Sequence, residues 1–244
     1  MSRKIEVILY LSNGYPSIEA SVKMAEEYAA AGCTMVEVDF PSRNPFLEGT
    51  MIADRMKTAL KACGDYTSYM KEICEIHQKL PQVKMLVLVY ENTIQEIGKE
   101  NFIKFCIEND LKDIILVGLT SDSIKKECIS GGLRVSCYVQ YQMQEDEIAS
   151  AVSSNGFVYM QAKPRDGQGY VNPQYPQLKD CIRHLREKGI DRPVYCGVGV
   201  SSPEDIEMVK SAGGDGAFVG SAVLNLQNDI PAMKAKISEL IAHS

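Results

Sequence analysis

An α/β fold built as a parallel (β/α)8 barrel, the TIM barrel, is what this sequence predicts, and three observations predict it. Short apolar runs alternate with helical patterns eight times along 244 residues, and such alternation implies a parallel sheet. The length suits one barrel, which typically takes about 250 residues, so residues 1–244 read as a single domain. Two glycine-rich turns follow the seventh and eighth apolar runs: Gly197-Val198-Gly199-Val200-Ser201-Ser202-Pro203-Glu204-Asp205 and Gly216-Ala217-Phe218-Val219-Gly220-Ser221-Ala222. Phosphate-type turns at that place favour a closed barrel. An open nucleotide-binding sheet carries its glycine fingerprint after the first strand, and the first turn here, Ser12-Asn13-Gly14-Tyr15-Pro16, has none.

Taken in order, the expected strands are Glu6–Leu11, Thr34–Val38, Met85–Tyr90, Asp113–Gly118, Arg134–Val139, Gly156–Met160, Pro193–Gly197 and Gly216–Gly220. Most are continuous apolar runs, as parallel strands buried on both faces require. The first helix, Ser17–Ala31, has a Ser17 cap after Pro16 and a Gly32 stop. Asp65–Leu80 ends before Pro81. Asn101–Asn109, Asp122–Ser130, Glu145–Ser154, Gln177–Lys188, Pro203–Ala212 and Asp229–Ala242 complete the set, with Pro203 well placed in a first turn.

Composition narrows the function classes. A net charge of −6 gives nucleic-acid binding no support. No apolar run reaches membrane-spanning length and the first residues carry no secretory pattern, so no membrane role and a cytoplasmic location are expected. The eight cysteines form no C-x-x-C pair and read as reduced, partly buried thiols. His77, His184 and His243 lie in helical patterns or at the terminus, away from strand ends, so no metal site or histidine triad is expected.

In a barrel, the chemistry lies at the C-terminal ends of strands and in the loops after them. Glu37 is a carboxylate inside an apolar strand. Paired with a lysine or arginine it would be structural; unpaired, its raised proton affinity would suit proton transfer. Both readings stand at this point. Glu48 lies on the loop that follows, and two carboxylates on one strand-loop unit can divide acid and base roles. The two turns supply backbone N–H groups for a phosphorylated small molecule, through Gly197, Val198, Gly199, Gly220 and Ser221. The loop Ala162–Tyr170 is polar and glycine-rich, suited to a lid, and Gly169 offers another backbone approach. Lys163 is either an anion-facing group or a Schiff-base nucleophile.

Over nearly its whole length the chain resembles the tryptophan synthase alpha chain family. Val36-Glu37-Val38-Asp39-Phe40-Pro41 and Pro45-Phe46-Leu47-Glu48-Gly49 stand where that family has its strand-two glutamate and its Asp-Gly loop. Gly197–Glu204 matches Gly-Phe-Gly-Ile-Ser-Ser-Pro-Glu, and Gly220-Ser221-Ala222 the second phosphate turn. Gly14, Pro16, Tyr90, Asn92 and Tyr159 also fit. The departures are a glutamate, Glu48, for the second aspartate; Ser42-Arg43-Asn44 in the loop; and Gly118-Leu119-Thr120-Ser121 for Ala-Asp-Val-Pro.

The resemblance implies a lyase of tryptophan biosynthesis that splits indole-3-glycerol phosphate into indole and glyceraldehyde 3-phosphate. Glu37 would shuttle the proton, and Glu48 would accept the indole N–H proton or hold it by a hydrogen bond. Tyr10, Tyr90, Leu116, Val139 and Tyr159 would line the substrate site, and no cofactor would be needed. Because the changes at Asn44 and Leu119 fall in elements that the family uses to signal to its beta chain, weakened coupling to a tryptophan synthase beta chain is expected. Two rivals stay open: another phosphosugar aldolase or isomerase, and a non-catalytic phosphate-ligand binding subunit.

Overall fold

Parallel strands with helical crossovers fill this computed structural model, which describes residues 3–118, 122–164 and 171–244. Leu119 and Gly169 lie outside the described residues. The first elements are β1 (Glu6–Leu11), α1 (Ile18–Ala30), β2 (Met35–Asp39), α2 (Thr50–Ala62), α3 (Tyr66–Lys79) and β3 (Lys84–Tyr90). Then come α4 (Glu91–Ile97), α5 (Lys99–Glu108), β4 (Asp113–Val117), α6 (Ser123–Ser130), β5 (Arg134–Val135) and β6 (Cys137–Val139). The chain continues with α7 (Glu145–Ser153), β7 (Val158–Gln161), α8 (Leu178–Glu187), β8 (Val194–Gly197), α9 (Pro203–Ser211), β9 (Gly216–Val219), α10 (Ser221–Leu224) and α11 (Ile230–Ala242). No helix among the described residues is long and apolar enough to cross a membrane.

Local chemistry sets the helix ends. The Ser17 hydroxyl accepts the Ala20 N–H, and Gly32, at φ 99, carries the chain out of α1. Asp65 caps α3 through the Thr67 N–H, Ser202 caps α9 through Asp205 N–H, and Asp229 caps α11 through Ala232 N–H. Two corrections concern the element pattern. Helices α2 and α4 form where the sequence pattern predicts connections, and the fifth strand is interrupted at Ser136, so that β5 pairs with β4 and β6 with β7.

The chain divides into two compact units. The first-half unit comprises Tyr10–Ala30 and Thr34–Val135. Its strands β2, β3, β4 and β5 pair in that order, all parallel, in the register Glu37↔Leu86, Asp39↔Leu88 and Tyr90↔Val117. Paired residues of a sheet share a face and successive residues alternate. One face therefore carries Glu37, Asp39, Leu86, Leu88, Tyr90, Ile115 and Val117, and the other Val36, Val38, Val87, Val89 and Leu116. The second face meets the helices: Phe40, next in that row, packs edge-on against Phe102 and Phe105 of α5 with ring centroids 5.9 and 6.2 Å apart. Burying Phe40 completely contributes about 2–3 kcal/mol.

The second-half unit comprises the chain up to Leu9, Ala31–Cys33 and Ser136 onward. Here β1, β9, β8, β7 and β6 pair in that order, also parallel. The shared face of Tyr138, Tyr159, Tyr195 and Phe218 is aromatic, with Tyr159 stacked on Phe218 at 4.2 Å and edge-on to Tyr138 at 5.5 Å. On the other face Cys137 donates its thiol to the Ser150 carbonyl of α7.

Candidate active site

Strand β2 is buried along its whole length, and two of its five residues are carboxylic acids. Glu37 and Asp39 lie two residues apart, so both project from the same face. Burial drives the Glu37 carboxyl well above its ordinary range, and the neighbouring charges that act on it, Glu48 and Asp39, push the same way. Among the described residues the groups acting on Glu37 are carboxylates and not a lysine or arginine, which favours the proton-transfer reading over the structural pair. Burial and like charges favour the protonated form of a carboxyl, and that is the form able to donate a proton.

Asp39 is placed differently. One of its oxygens accepts the Tyr10 hydroxyl at 2.9 Å and the other the Asn13 backbone N–H at 2.6 Å. Burial raises its carboxyl to about 7 against these two donors, which favour the charged form. The Tyr10 hydroxyl is itself pushed up by burial and by the surrounding carboxylates, so it stays a neutral donor.

Glu48 follows the turn Pro45–Glu48, closed by a hydrogen bond from the Glu48 N–H to the Pro45 carbonyl. The Tyr90 hydroxyl, at the end of β3, donates to Glu48 Oε1 at 2.8 Å, and the Phe46 ring stands edge-on to Tyr90. The start of the loop is held twice: Tyr66 donates to the Pro41 carbonyl, and Arg43 pairs with Glu96 at 2.8 Å. Phe46 and Leu47 nonetheless remain exposed at the loop tip.

In the second-half unit, the turn after β8 places two consecutive residues in the left-handed region, Val198 at φ 69 and Gly199 at φ 84. Only glycine adopts that conformation freely, so Val198 carries about 1–2 kcal/mol of strain. Two amides around the start of α9 are occupied internally: Asp205 N–H donates to the Ser202 hydroxyl, and Ser201 N–H, just before the helix, to the Asp205 carboxylate. Gly220 and the exposed Ser221 open the short α10. Lys163 forms an ion pair with Asp205, and burial of Asp205 is outweighed by that lysine, which holds its carboxyl below the usual range. A lysine amine engaged in an ion pair is a poor Schiff-base nucleophile.

The expected lining residues separate by strand face. Tyr10 and Tyr90 reach the carboxylate cluster through Asp39 and Glu48. Leu116, paired with Val89, points to the helix-facing side, while Ile115 and Val117 share the face of Glu37. In the other unit Tyr159 lies on the aromatic face, and Val139, paired with Met160 in the row of Cys137, lies on the helix side. Gly197 sits against the Tyr159 ring. Asp39 went unremarked as a site residue in the sequence. The cue was present, an acidic residue in period-two register with Glu37, but its partners Tyr10 and Asn13 are far away in the chain.

Parallel strands, helical crossovers and paired carboxylates at the end of the second strand define a (β/α)8 barrel of the enzyme-bearing kind. The family model for the tryptophan synthase alpha chain matches residues 2–243. The chain belongs to the tryptophan synthase alpha chain family. The tryptophan synthase alpha chain of Flavobacterium psychrophilum is 25% identical over 242 residues, covering 95% of this chain and 93% of its own. That of Methanopyrus kandleri is 26% identical over 243 residues, with 96% and 86% covered. Among solved structures, tryptophan synthase from M. tuberculosis in its aminoacrylate-bound form superposes with a TM-score of 0.80 at 23% identity, covering 98% of this chain and 93% of that one. The tryptophan synthase subunit alpha of Campylobacter jejuni gives 0.81 at 21% identity, covering 98% and 96%. These superpositions establish the barrel fold.

Proposed function

We propose that this chain is a lyase of tryptophan biosynthesis that cleaves indole-3-glycerol phosphate to indole and glyceraldehyde 3-phosphate. The observation that carries the reading is Glu37, a carboxyl buried inside β2 on the face it shares with Asp39, where burial and the carboxylates of Glu48 and Asp39 raise its proton affinity. Glu37 gives its proton to C3 of the indole ring. The bond from C3 to the side chain then breaks, its electron pair returning to the ring, and the side-chain hydroxyl becomes the aldehyde as its proton passes back to the Glu37 carboxylate. Glu48, oriented by Tyr90, accepts the indole N–H. Tyr10, Tyr90 and Tyr159 provide aromatic contacts, and the backbone of Gly197, Val198, Gly199, Gly220 and Ser221 takes the phosphate. Leu116 and Val139 act behind the strands as packing, given their helix-facing placement.

Coupling to a beta chain is weakened in this reading, since the loop carrying Asn44 is tied instead to α4 through Arg43 and Glu96. The reaction belongs to a cytoplasmic biosynthetic enzyme. Indole release from indole-3-glycerol phosphate by the purified chain tests the proposal. Glu37→Gln is expected to lower kcat by about 10²–10⁴ with KM little changed. Substrate binding without indole release in the wild type would move the function to a binding role.

A further inference from the structure

The carboxylate cluster contains one member more than the proposed reaction uses. Asp39 is 1% exposed and Glu37 6%, on the same strand face two residues apart, about 6.6 Å along the strand. Two carboxylates that close in a buried place do not both ionise readily. Which of them keeps the proton depends on where the donors point. Both oxygens of Asp39 have one, the Tyr10 hydroxyl and the Asn13 amide.

We infer that Asp39 is a positioning residue of this reaction: its carboxylate, anchored by Tyr10 and Asn13, keeps the reactive proton on Glu37 and fixes the ring of Tyr10 and the loop after β1. The inference rests on the reaction proposed above. Donors stabilise an anion, so Asp39 ionises first and its charge then holds the remaining proton on Glu37. Glu48, from the loop after β2, is the other ionisable group that acts on Asp39, and the charge of Asp39 in turn raises Glu72 and Tyr69 of α3. Tyr90 of β3 is also pushed up by Asp39, after burial and Glu48. All of these are acids, so the cluster as a whole favours retention of protons. Asp39 also clamps the chain where β1 ends, since Asn13 N–H has no other side-chain acceptor at bonding distance among the described residues. Pairs of acids whose surroundings divide the proton unequally are how one site supplies both an acid and a base.

The experiment has two readouts. The first is the ¹³C NMR titration of the Glu37 carboxyl, assigned with Glu37→Gln; the second is the pH dependence of kcat for indole release. Asp39→Asn keeps the size of the side chain and an acceptor for Asn13. In this variant the Glu37 midpoint is expected to fall by about one pH unit or more, with the basic limb of the kcat profile moving with it. Tyr10→Phe removes one donor and leaves the charge; it is expected to shift Glu37 in the same direction by less. An unchanged Glu37 midpoint in the folded variants overturns the inference, and Tyr10→Phe decides alone if Asp39→Asn does not fold. No indole release by the wild type overturns the reaction instead, and the titration still decides whether Asp39 holds the proton on Glu37.

Discussion

Replacing Glu72 by glutamine removes an acid that the fold has buried on α3. Glu72 is 1% exposed; one oxygen accepts the Ser21 hydroxyl and the other has no partner among the described residues. Burial pushes its carboxyl up to about 8 from an ordinary 4.5; the Ser21 bond works against this, and the charge of Asp39 adds to it. The folded chain thus keeps the Glu72 proton where the unfolded chain has lost it. That contribution to stability is complete below about pH 4.5 and is lost as the pH rises through about 8. The gap between these values, at about 1.4 kcal/mol per pH unit, sets a ceiling of about 5 kcal/mol. Rearrangement and water entry around the charge reduce it to about 2–3 kcal/mol. Glutamine can accept from Ser21 and never ionises. Urea denaturation followed by circular dichroism at pH 5, 7 and 9 is expected to show wild-type stability falling by about 2–3 kcal/mol more than that of Glu72→Gln. Parallel profiles for the two proteins would refute the reasoning.

Gly197→Ala would set a Cβ about 2.4 Å from the Tyr159 ring, which is pinned by its stacking on Phe218. The expected loss is about 1–3 kcal/mol, with most of it recovered when Tyr159→Leu is added, as melting of the two variants will show. Asp113 accepts two bonds from Arg134, at 2.7 and 2.8 Å, and pairs with Lys84 at 3.0 Å; burial raises its carboxyl, but the two cations outweigh it and hold it below its ordinary value. Its contribution is present above about pH 3.8 and lost as the pH falls below that. Asp113→Asn is therefore expected to cost about 1–2 kcal/mol at pH 7, the partly exposed cations limiting the figure, and to converge with the wild type towards pH 2–3 in denaturation curves.

Strand positions were legible because parallel strands buried on both faces appear as apolar runs, and Glu37 stood out against one of them. The same property hid which way each residue points. With Val38, Leu88, Leu116 and Val139 all apolar, nothing in the sequence marks the inner face, and a one-residue choice reverses it. Leu116 and Val139 fell on the helix side for that reason. Helix α2 was missed because Gly49 provides no side-chain cap and only Met56 and Ala59 are buried, too few to print an apolar stripe. Asp39 was hidden by topology: its two partners come from β1 and the loop after it, and only the folded sheet brings them to the end of β2.

The pairing of β1 with β9 has a consequence for synthesis. Glu6 meets Gly216, and Leu9 meets Val219, more than two hundred residues later in the chain. At about 5–20 residues per second, the first strand waits roughly 10–40 s on the ribosome for β9. During that time the whole of Tyr10–Val135 except Ala31–Cys33, which holds the carboxylate cluster, has been made and can begin to fold. The edge of β1 that β9 covers is thus among the first sheet edges to be made and the last to be covered, and the apolar residues Val7, Ile8 and Leu9 beside it need protection from wrong partners in a growing chain.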